Sequence, residues 1–436
     1  MQKDTAAHAL QPLLVEVWDS GHHRRPQPSV RRQPKARPNR DLKILLLGNY
    51  RPSITLARVL KNSGHAVYCG YDGYEGGAEY SNSVQEMWRH PSFEDDPNGF
   101  FLELKAFVQA KNIDVVYPVT EGFVCALSER FEEVSSLVAI AMHEPAQVDA
   151  CTDKLGMYDR AQRLGVPTNI HAMVETAQQL QSTLSAIGTP LVVRPENPIS
   201  RFDNKKVFTI ENDRDANWLL EHWNVGETRL LCQRFARGHR HNVYFAAEKG
   251  QVFRYLQAKI LKTDIADGSG LATEGVTVAP DAELRRHTEA MLADLDYTGI
   301  GCAQYLVDER TGEISFLEIN TRIAGNHAVP EAAGLELTEV PIALAFGEPL
   351  NFARKEGRVG LSYVWTSGAI MGAKVGWIRG DLSAIQALGW ILRALYKSVF
   401  ADIHMVFSWR DPKPAVMSIL ACLPSVDGIF NRLKRR

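Results

Sequence analysis

Ile314 to His327 read ISFLEINTRIAGNH, and the reading of this stretch decides the fold. Its first residues predict a β-strand, in which alternate side chains leave on the same face. Glu318 and Asn320 then point together, with backbones roughly 7 Å apart. A carboxylate beside an amide oxygen, followed at once by Arg322, suits a divalent cation that carries phosphate. Upstream, GCAQYLVD predicts a second strand with Gln304 at its middle, and DERTGE is the turn between the two. A hairpin centred near Thr311 sets Gln304 opposite Glu318, so three oxygen donors converge from two strands. On this pattern alone a plainer reading stands beside it: a strand end with a surface ion pair.

The wider context favours the first reading. The segment resembles the metal-binding segment of the ATP-grasp family, above all its biotin carboxylase and carbamoyl-phosphate synthetase branch. That resemblance implies an α/β chain with the α+β ATP-grasp fold. A Rossmann-like pre-ATP-grasp domain would be followed by a two-subdomain ATP-grasp domain. It implies ATP and two Mg²⁺ ions, with Mn²⁺ as a substitute. Gln304, Glu318 and Asn320 would be metal ligands, and Arg322 would steady the transferring phosphoryl group.

Working towards the N-terminus, LKILLLG from Leu42 is a continuous apolar run of the kind buried on both faces of a parallel sheet. A turn at Asn49 to Ser53, a helix over ITLARVLKNSG that stops at Gly64, and a strand HAVYCG complete a β-α-β opening. G-x-G-x-x-G is missing, which argues against a dinucleotide site. FFLELKAFVQAKN predicts a helix, and IDVVYPVTEG another buried strand. Ligands of open parallel sheets bind at the carboxyl ends of strands, so the loops at Asn49 to Ser53 and Thr120 to Gly122 are candidate substrate contacts or ordinary turns. Position and pattern match the pre-ATP-grasp domain over 41–150, with an ATP-grasp domain over 151–350 and its lid at about 190–256.

Between these blocks the resemblance supplies nucleotide contacts residue by residue. TDKLGMYDRAQRLGVPTN puts Lys154 where the family has a phosphate-contacting lysine. TPLVVRP puts Arg194 on the strand whose basic residue reaches the α- and β-phosphates, and a guanidinium is suited to that task. The family's glycine-rich flap is replaced by PENPISRFDNKKVFTI, in which Arg201, Lys205 and Lys206 would supply charge. TRLLCQRFARG resembles the adenine hinge: Gln233 stands for the usual Glu, and Arg234 and Phe235 offer backbone groups to the base. In the meander that follows, with its turn at Glu248 to Gly250, His241 falls near a ribose or phosphate position and Lys259 near a catalytic, phosphate-reaching one. KTDIADGSGLATEG reads as a loop covering the site, and AELRRHTEAMLADLDYTG as an amphipathic helix.

Composition sets the outer bounds. A 436-residue chain, 45% hydrophobic and 23% charged, is an ordinary globular protein with room for two or three subdomains. Net charge −2 offers no bulk attraction to nucleic acid or membrane. Six scattered cysteines without C-x-x-C argue against a zinc site or disulfide framework and for a reducing cytoplasm. No apolar run spans a bilayer, and no signal peptide is evident. Residues 1–40 are rich in Arg and Pro and predict a disordered tail, with a nucleic-acid arm as the alternative. The extension over 351–436 holds strand-like VGLSYVWTSGAI, a turn at WRDPKP and a basic end, IFNRLKRR. It also holds an amphipathic helix, LSAIQALGWILRALYKSVF, whose apolar face is expected to pack on the domain, or else to touch a membrane surface.

The resemblance implies an ADP-forming carboxylate–amine ligase acting on small-molecule carboxylate and amine substrates, with one ATP-grasp unit and a homodimer as the expected assembly. In biotin carboxylase an acidic residue four positions after the arginine is the base for bicarbonate; here that position is Asn326, which cannot act as a base. The alternative is a nucleotide-binding protein without catalysis.

Overall fold

The computed structural model describes residues 35–73, 76–196, 207–223, 228–350 and 353–423. The expectations for most of the N-terminal tail, for Arg201, Lys205 and Lys206, and for the basic C-terminal end fall outside the described residues. Internal contacts divide the described chain into two compact units. The smaller takes Ala161–Gly238 and Leu306–Phe316, and the larger takes residues 35–160, His239–Tyr305 and residues 317–423.

The larger unit opens as the apolar run requires. β1 (Lys43–Leu47) is buried almost throughout. The helix Arg51–Asn62 follows, with Pro52 in its first turn, where a missing N–H costs nothing. Gly64 lies just past its end at φ +92, a conformation that side chains resist. β2 (Ala66–Tyr71), β3 (Glu86–Arg89), β4 (Val115–Pro118) and β5 (Ala139–Ile140) complete a parallel sheet in the order β3-β2-β1-β4-β5. One face carries Leu45, Leu47 and Val116 against Phe100 and Leu104 of the helix Pro97–Lys111. The other carries Ile44, Leu46 and Tyr117, in one core with Ile54 and Leu60.

The smaller unit is an antiparallel sheet of β6 (His171–Val174), β7 (Leu191–Pro195), β8 (Phe208–Ile210) and β9 (Leu230–Arg234), in the order β6-β9-β7-β8. The helices Ala177–Ile187 and Asp213–His222 contribute Leu180 and Leu219 to its core.

The second sheet begins with β10 (His239–Glu248) and β11 (Gln251–Thr263), joined by a turn in which Lys249 and Gly250 take φ +48 and +77. β12 (Ala272–Val278), β13 (Gly299–Asp308), β14 (Glu313–Asn320), β15 (Lys355–Glu356), β16 (Ser362–Val364) and β17 (Ile403–His404) complete it. The order is β14-β13-β10-β11-β12-β16-β17, with β15 beside β11. The predicted metal hairpin thus exists as neighbouring strands, and residues after 351 supply the opposite end of the same sheet. The helix Ala282–Asp294 is capped by Asp281, whose Oδ1 accepts from the N–H groups of Glu283 and Leu284 at 2.9 and 3.0 Å.

One expectation holds only in part. The helix Ala384–Phe400 buries Ala387 and Ala394 and packs Trp390 and Ile391, half-buried, against Ala373 and Leu382, but Ile385 is 85% exposed and Phe400 66%. Its inner side is fixed by small residues and by charge. Arg393 grips Glu274 of β12 with Nε and Nη2 at 2.7 and 2.8 Å, and Lys397 adds a contact at 3.5 Å. Burial pushes the Glu274 carboxyl upward, but these two cations outweigh it and hold the group below its ordinary value. Leu388, Leu392, Leu395 and Val399 are left exposed with Ile385 and Phe400. No described helix is long and apolar enough to cross a membrane.

Candidate active site

The carboxylate and amide that open the sequence argument do meet. Asn320 Nδ2 donates to Glu318 Oε1 at 2.8 Å, so the two side chains leave one face of β14. That bond turns the amide's nitrogen towards Glu318 and its oxygen away. Gln304 is half-buried on β13. Half-buried Arg322 donates from Nη1 to the Ile323 carbonyl at 3.0 Å. The thiol of Cys302, two residues before Gln304 on β13, is buried. Burial pushes it up to about 12; Arg322 and Arg240 pull it down, and Glu318 pushes it further up. Among the described residues no three His, Cys, Asp or Glu side chains form a metal cluster. The donor set on offer is therefore one carboxylate and two amides. That suits Mg²⁺, which keeps waters and takes phosphate oxygens, better than a metal held wholly by protein.

The segment after Arg322 is pinned. Asn326 is 4% exposed, and its Nδ2 donates to the Tyr244 hydroxyl. His327 Nε2 lies 2.9 Å from Thr338 Oγ1 and 3.2 Å from Glu331 Oε1. Burial pushes Glu331 upward, yet His327 and Thr338 together hold it below the usual carboxylate range. Asn326 is thus a structural donor where a bicarbonate-activating branch carries a base.

His241 and Lys259 stand directly opposite each other in β10 and β11. Asp281 N–H donates to Gln257 Oε1 at 2.8 Å, which turns Gln257 Nε2 to His241 Nδ1 at 2.9 Å. Nδ1 is then the acceptor, and the neutral imidazole carries its proton on Nε2. Lys154 is the first residue of the helix Lys154–Arg163, capped by Asp153, whose Oδ1 accepts from Gly156 N–H at 3.0 Å. These three residues share the larger unit with Gln304, Glu318, Asn320 and Arg322.

Arg194, Gln233, Arg234 and Phe235 belong to the smaller unit. Arg194 of β7 donates from Nη2 to Gln233 Oε1 of β9. Arg194 Nε and Gln233 Nε2 are buried and meet no acceptor among the described residues. Two buried donors side by side, one of them cationic, are costly unless an anionic or carbonyl oxygen reaches them. The hinge backbone is less open than the resemblance implies. Arg234 N–H donates to the Ile170 carbonyl at 2.9 Å, and Phe235 N–H to the Pro190 carbonyl at 3.1 Å. The Arg234 carbonyl accepts from Asn169 Nδ2 at 3.2 Å and keeps its second lone pair.

Sequence reasoning singled out the loop at Asn49 to Ser53 without naming its key residue. Arg51 is 6% exposed, and its Nε donates to the Gly325 carbonyl at 2.8 Å, three residues beyond Arg322. An arginine in a helix's first turn carries no signal of burial in the sequence.

Residues 273–353 match the family model described as carbamoyl-phosphate synthase L chain, ATP binding domain. A chloroplastic biotin carboxylase of Arabidopsis thaliana is 36% identical over 91 residues, 20% of this chain and 17% of that protein. The chain therefore spans less than a fifth of this curated relative. A D-alanine–D-alanine ligase of Pseudomonas fluorescens is 25% identical over 222 residues, 47% of this chain and 66% of that protein. Among solved structures, the N5-carboxyaminoimidazole synthetase of Staphylococcus aureus complexed with ADP superposes with a TM-score of 0.59. Its identity is 12%, with 77% of this chain and 86% of that one covered.

Proposed function

The chain carries the ATP-grasp fold, and from that premise we propose that it is an ATP- and Mg²⁺-dependent ligase that forms ADP. A substrate carboxylate attacks the γ-phosphorus of ATP, giving an acyl phosphate and ADP. An amine then attacks the acyl carbon, phosphate leaves, and an amide bond forms. The observation that carries the reading is the hydrogen-bonded Glu318–Asn320 pair with Arg322 two residues on. A nucleotide-binding module without chemistry has little use for that set.

Glu318, Asn320 and Gln304 would hold two Mg²⁺ ions, or Mn²⁺ in their place. Bound there, the ions supply charge neutralisation at the β- and γ-phosphates. Arg322 would meet the charge that develops on the transferring phosphoryl group. Arg194, Lys154, Lys259 and the Nε2–H of His241 would each offer a donor to phosphate oxygens. No side-chain nucleophile is required; positioning and charge do the work. Asn326, spent on Tyr244, is no base, which favours an already ionised carboxylate over bicarbonate as the substrate that attacks ATP. A homodimer in the cytoplasm completes the proposal; the thiols of all six cysteines are free, as a reducing compartment allows.

The test is ATP turnover with Mg²⁺ against pools of amino acids and small carboxylates, scoring ADP against AMP. ADP and phosphate released only with a particular pool are expected. AMP and pyrophosphate would overturn the acyl-phosphate route, and tight ATP binding with no turnover from any pool would favour the non-catalytic alternative. Arg194→Ala should weaken ADP binding about 10- to 100-fold by calorimetry, as expected for losing a hydrogen bond to a charged group. Unchanged affinity would remove Arg194 from the nucleotide site.

A further inference from the structure

Beside the metal hairpin lies a second cluster that the phosphate chemistry does not use. Arg51 lies with its Cζ 3.8 Å from the centre of the Trp365 ring, a cation held flat on an aromatic face. Nε is satisfied by Gly325, but Nη1, also buried, meets no acceptor among the described residues. A Cβ on Gly325 would come within 3.2 Å of Nη2, so the glycine lets the guanidinium sit against this backbone. Burial pulls Arg51 down to about 10, which leaves it a cation at neutral pH.

Arg240 and Asn242 alternate along β10 and so share a face. Arg240 donates from Nη2 to the Gly270 carbonyl at 3.1 Å, and its Nε is buried without an acceptor. Asn242 is 4% exposed; its Nδ2 donates to the Tyr244 hydroxyl at 3.2 Å, and its Oδ1 is buried without a donor. Hydrogen bonds bring the groups to one place. Arg51 holds the Gly325 carbonyl, and the next residue, Asn326, shares the Tyr244 hydroxyl with Asn242, two residues from Arg240 on the same face of β10. Gly325, which Arg51 holds, lies three residues beyond Arg322, so the cluster adjoins the metal hairpin. Asp264 is a carboxylate that bears on both arginines. The cluster therefore keeps net positive charge as well as two unmet donors and one unmet acceptor.

Buried donors and acceptors of this kind are costly unless a ligand completes them. We propose that Arg51, Arg240 and Asn242 form the receptor for the substrate that the ligase activates, a small carboxylate bearing an N–H or O–H donor on a neighbouring atom, as in an α-amino or α-hydroxy acid. The carboxylate would bridge Arg51 Nη1 and Arg240 Nε, and the neighbouring donor would reach Asn242 Oδ1. Simple carboxylates satisfy the arginines but strand the asparagine oxygen, so the site discriminates against them. The activated group in a substrate anchored in this way is a second carboxylate, presented towards the hairpin. The inference rests on the ligase reading for that last step but not for the binding itself.

The test is direct titration of the full chain, in the presence of ADP and Mg²⁺, with three pools. They hold amino dicarboxylic acids, hydroxy dicarboxylic acids and unsubstituted dicarboxylic acids. Binding by the first or second pool at least tenfold tighter than by the third is expected. Arg240→Gln, at a half-buried position, and Arg51→Lys should each weaken that binding about tenfold or more, with ADP affinity and melting temperature little moved. Equal binding of all three pools, no binding of any, or variants that bind like the parent would each overturn the receptor. ADP titration reads the ligase proposal separately: a chain that binds a substituted pool but never ADP keeps the receptor and loses the ligase.

Discussion

Glu318→Ala should reduce turnover by at least about 10²-fold while the chain stays folded. The carboxylate does two things in the proposed site: it would ligate the cation, and it fixes the Asn320 amide through the 2.8 Å bond from Nδ2. Removing it loses one ligand and frees the other to rotate, and supporting bonds of this kind are themselves worth about 10- to 100-fold in metal affinity or activity. Glu318 is half-buried, so the side chain can be cut back without opening a core cavity. Glu318→Gln separates the two effects. It keeps an oxygen for Asn320 and removes the charge, and it should recover amide orientation but not turnover. ADP release and Mg²⁺-dependent nucleotide titration are the measurements. Turnover unchanged in Glu318→Ala would exclude the metal role for this hairpin.

Asp411→Ala should cost about 3–5 kcal/mol of stability, the usual consequence of stripping one partner from a buried ion pair. Arg58, on the helix Arg51–Asn62, donates from Nε to Asp411 Oδ2 at 2.9 Å, from Nη2 to the Asp411 carbonyl at 2.7 Å and from Nη1 to the Val406 carbonyl at 2.7 Å. Ser81 Oγ adds a bond to Oδ2 at 2.6 Å, and Asn82 N–H one to Oδ1 at 3.0 Å. The side chains are 16% and 4% exposed, so an orphaned Arg58 would find little water. Burial pushes the Asp411 carboxyl up, but Ser81, Asn82 and Arg58 outweigh it and hold it below the ordinary value. A depressed folded value means the stabilisation is complete above the unfolded carboxylate value of about 3.9 and drains away as pH falls through the folded one. Thermal melts should therefore show a large gap between the parent and Asp411→Asn at neutral pH that narrows below about pH 4. A gap that is small at pH 7, or constant with pH, would show that this pair does not stabilise the fold.

Much of the architecture was legible because its signals are local. LKILLLG became β1, the turn at Glu248 to Gly250 joined β10 to β11, and the run from Ala282 became a capped helix. At the candidate site the Glu318–Asn320 contact followed from strand alternation alone. What could not be read was set by distant partners. Nothing near Arg51 announces that Trp365 and Gly325 will enclose it. WRDPKP reads as a plain turn, yet its aspartate receives Arg58 from 353 residues away. The helix Ala384–Phe400 misled for a related reason. Its apolar stripe is the stronger pattern, but only Ala387, Ala394, Trp390 and Ile391 meet a partner surface, which distant residues supply.

The position of β16 has a consequence for how the protein is made. Its partner β12 leaves the ribosome about ninety residues earlier, carrying an edge of unpaired N–H and C=O groups until Ser362–Val364 arrives. The helix bearing Arg58 waits far longer for Asp411, roughly 20–70 s at synthesis rates of about 5–20 residues per second. Nascent chains must therefore carry an unmatched arginine through most of their elongation and an open sheet edge through about ninety residues of it, and a product shortened before β16 would emerge with both still open.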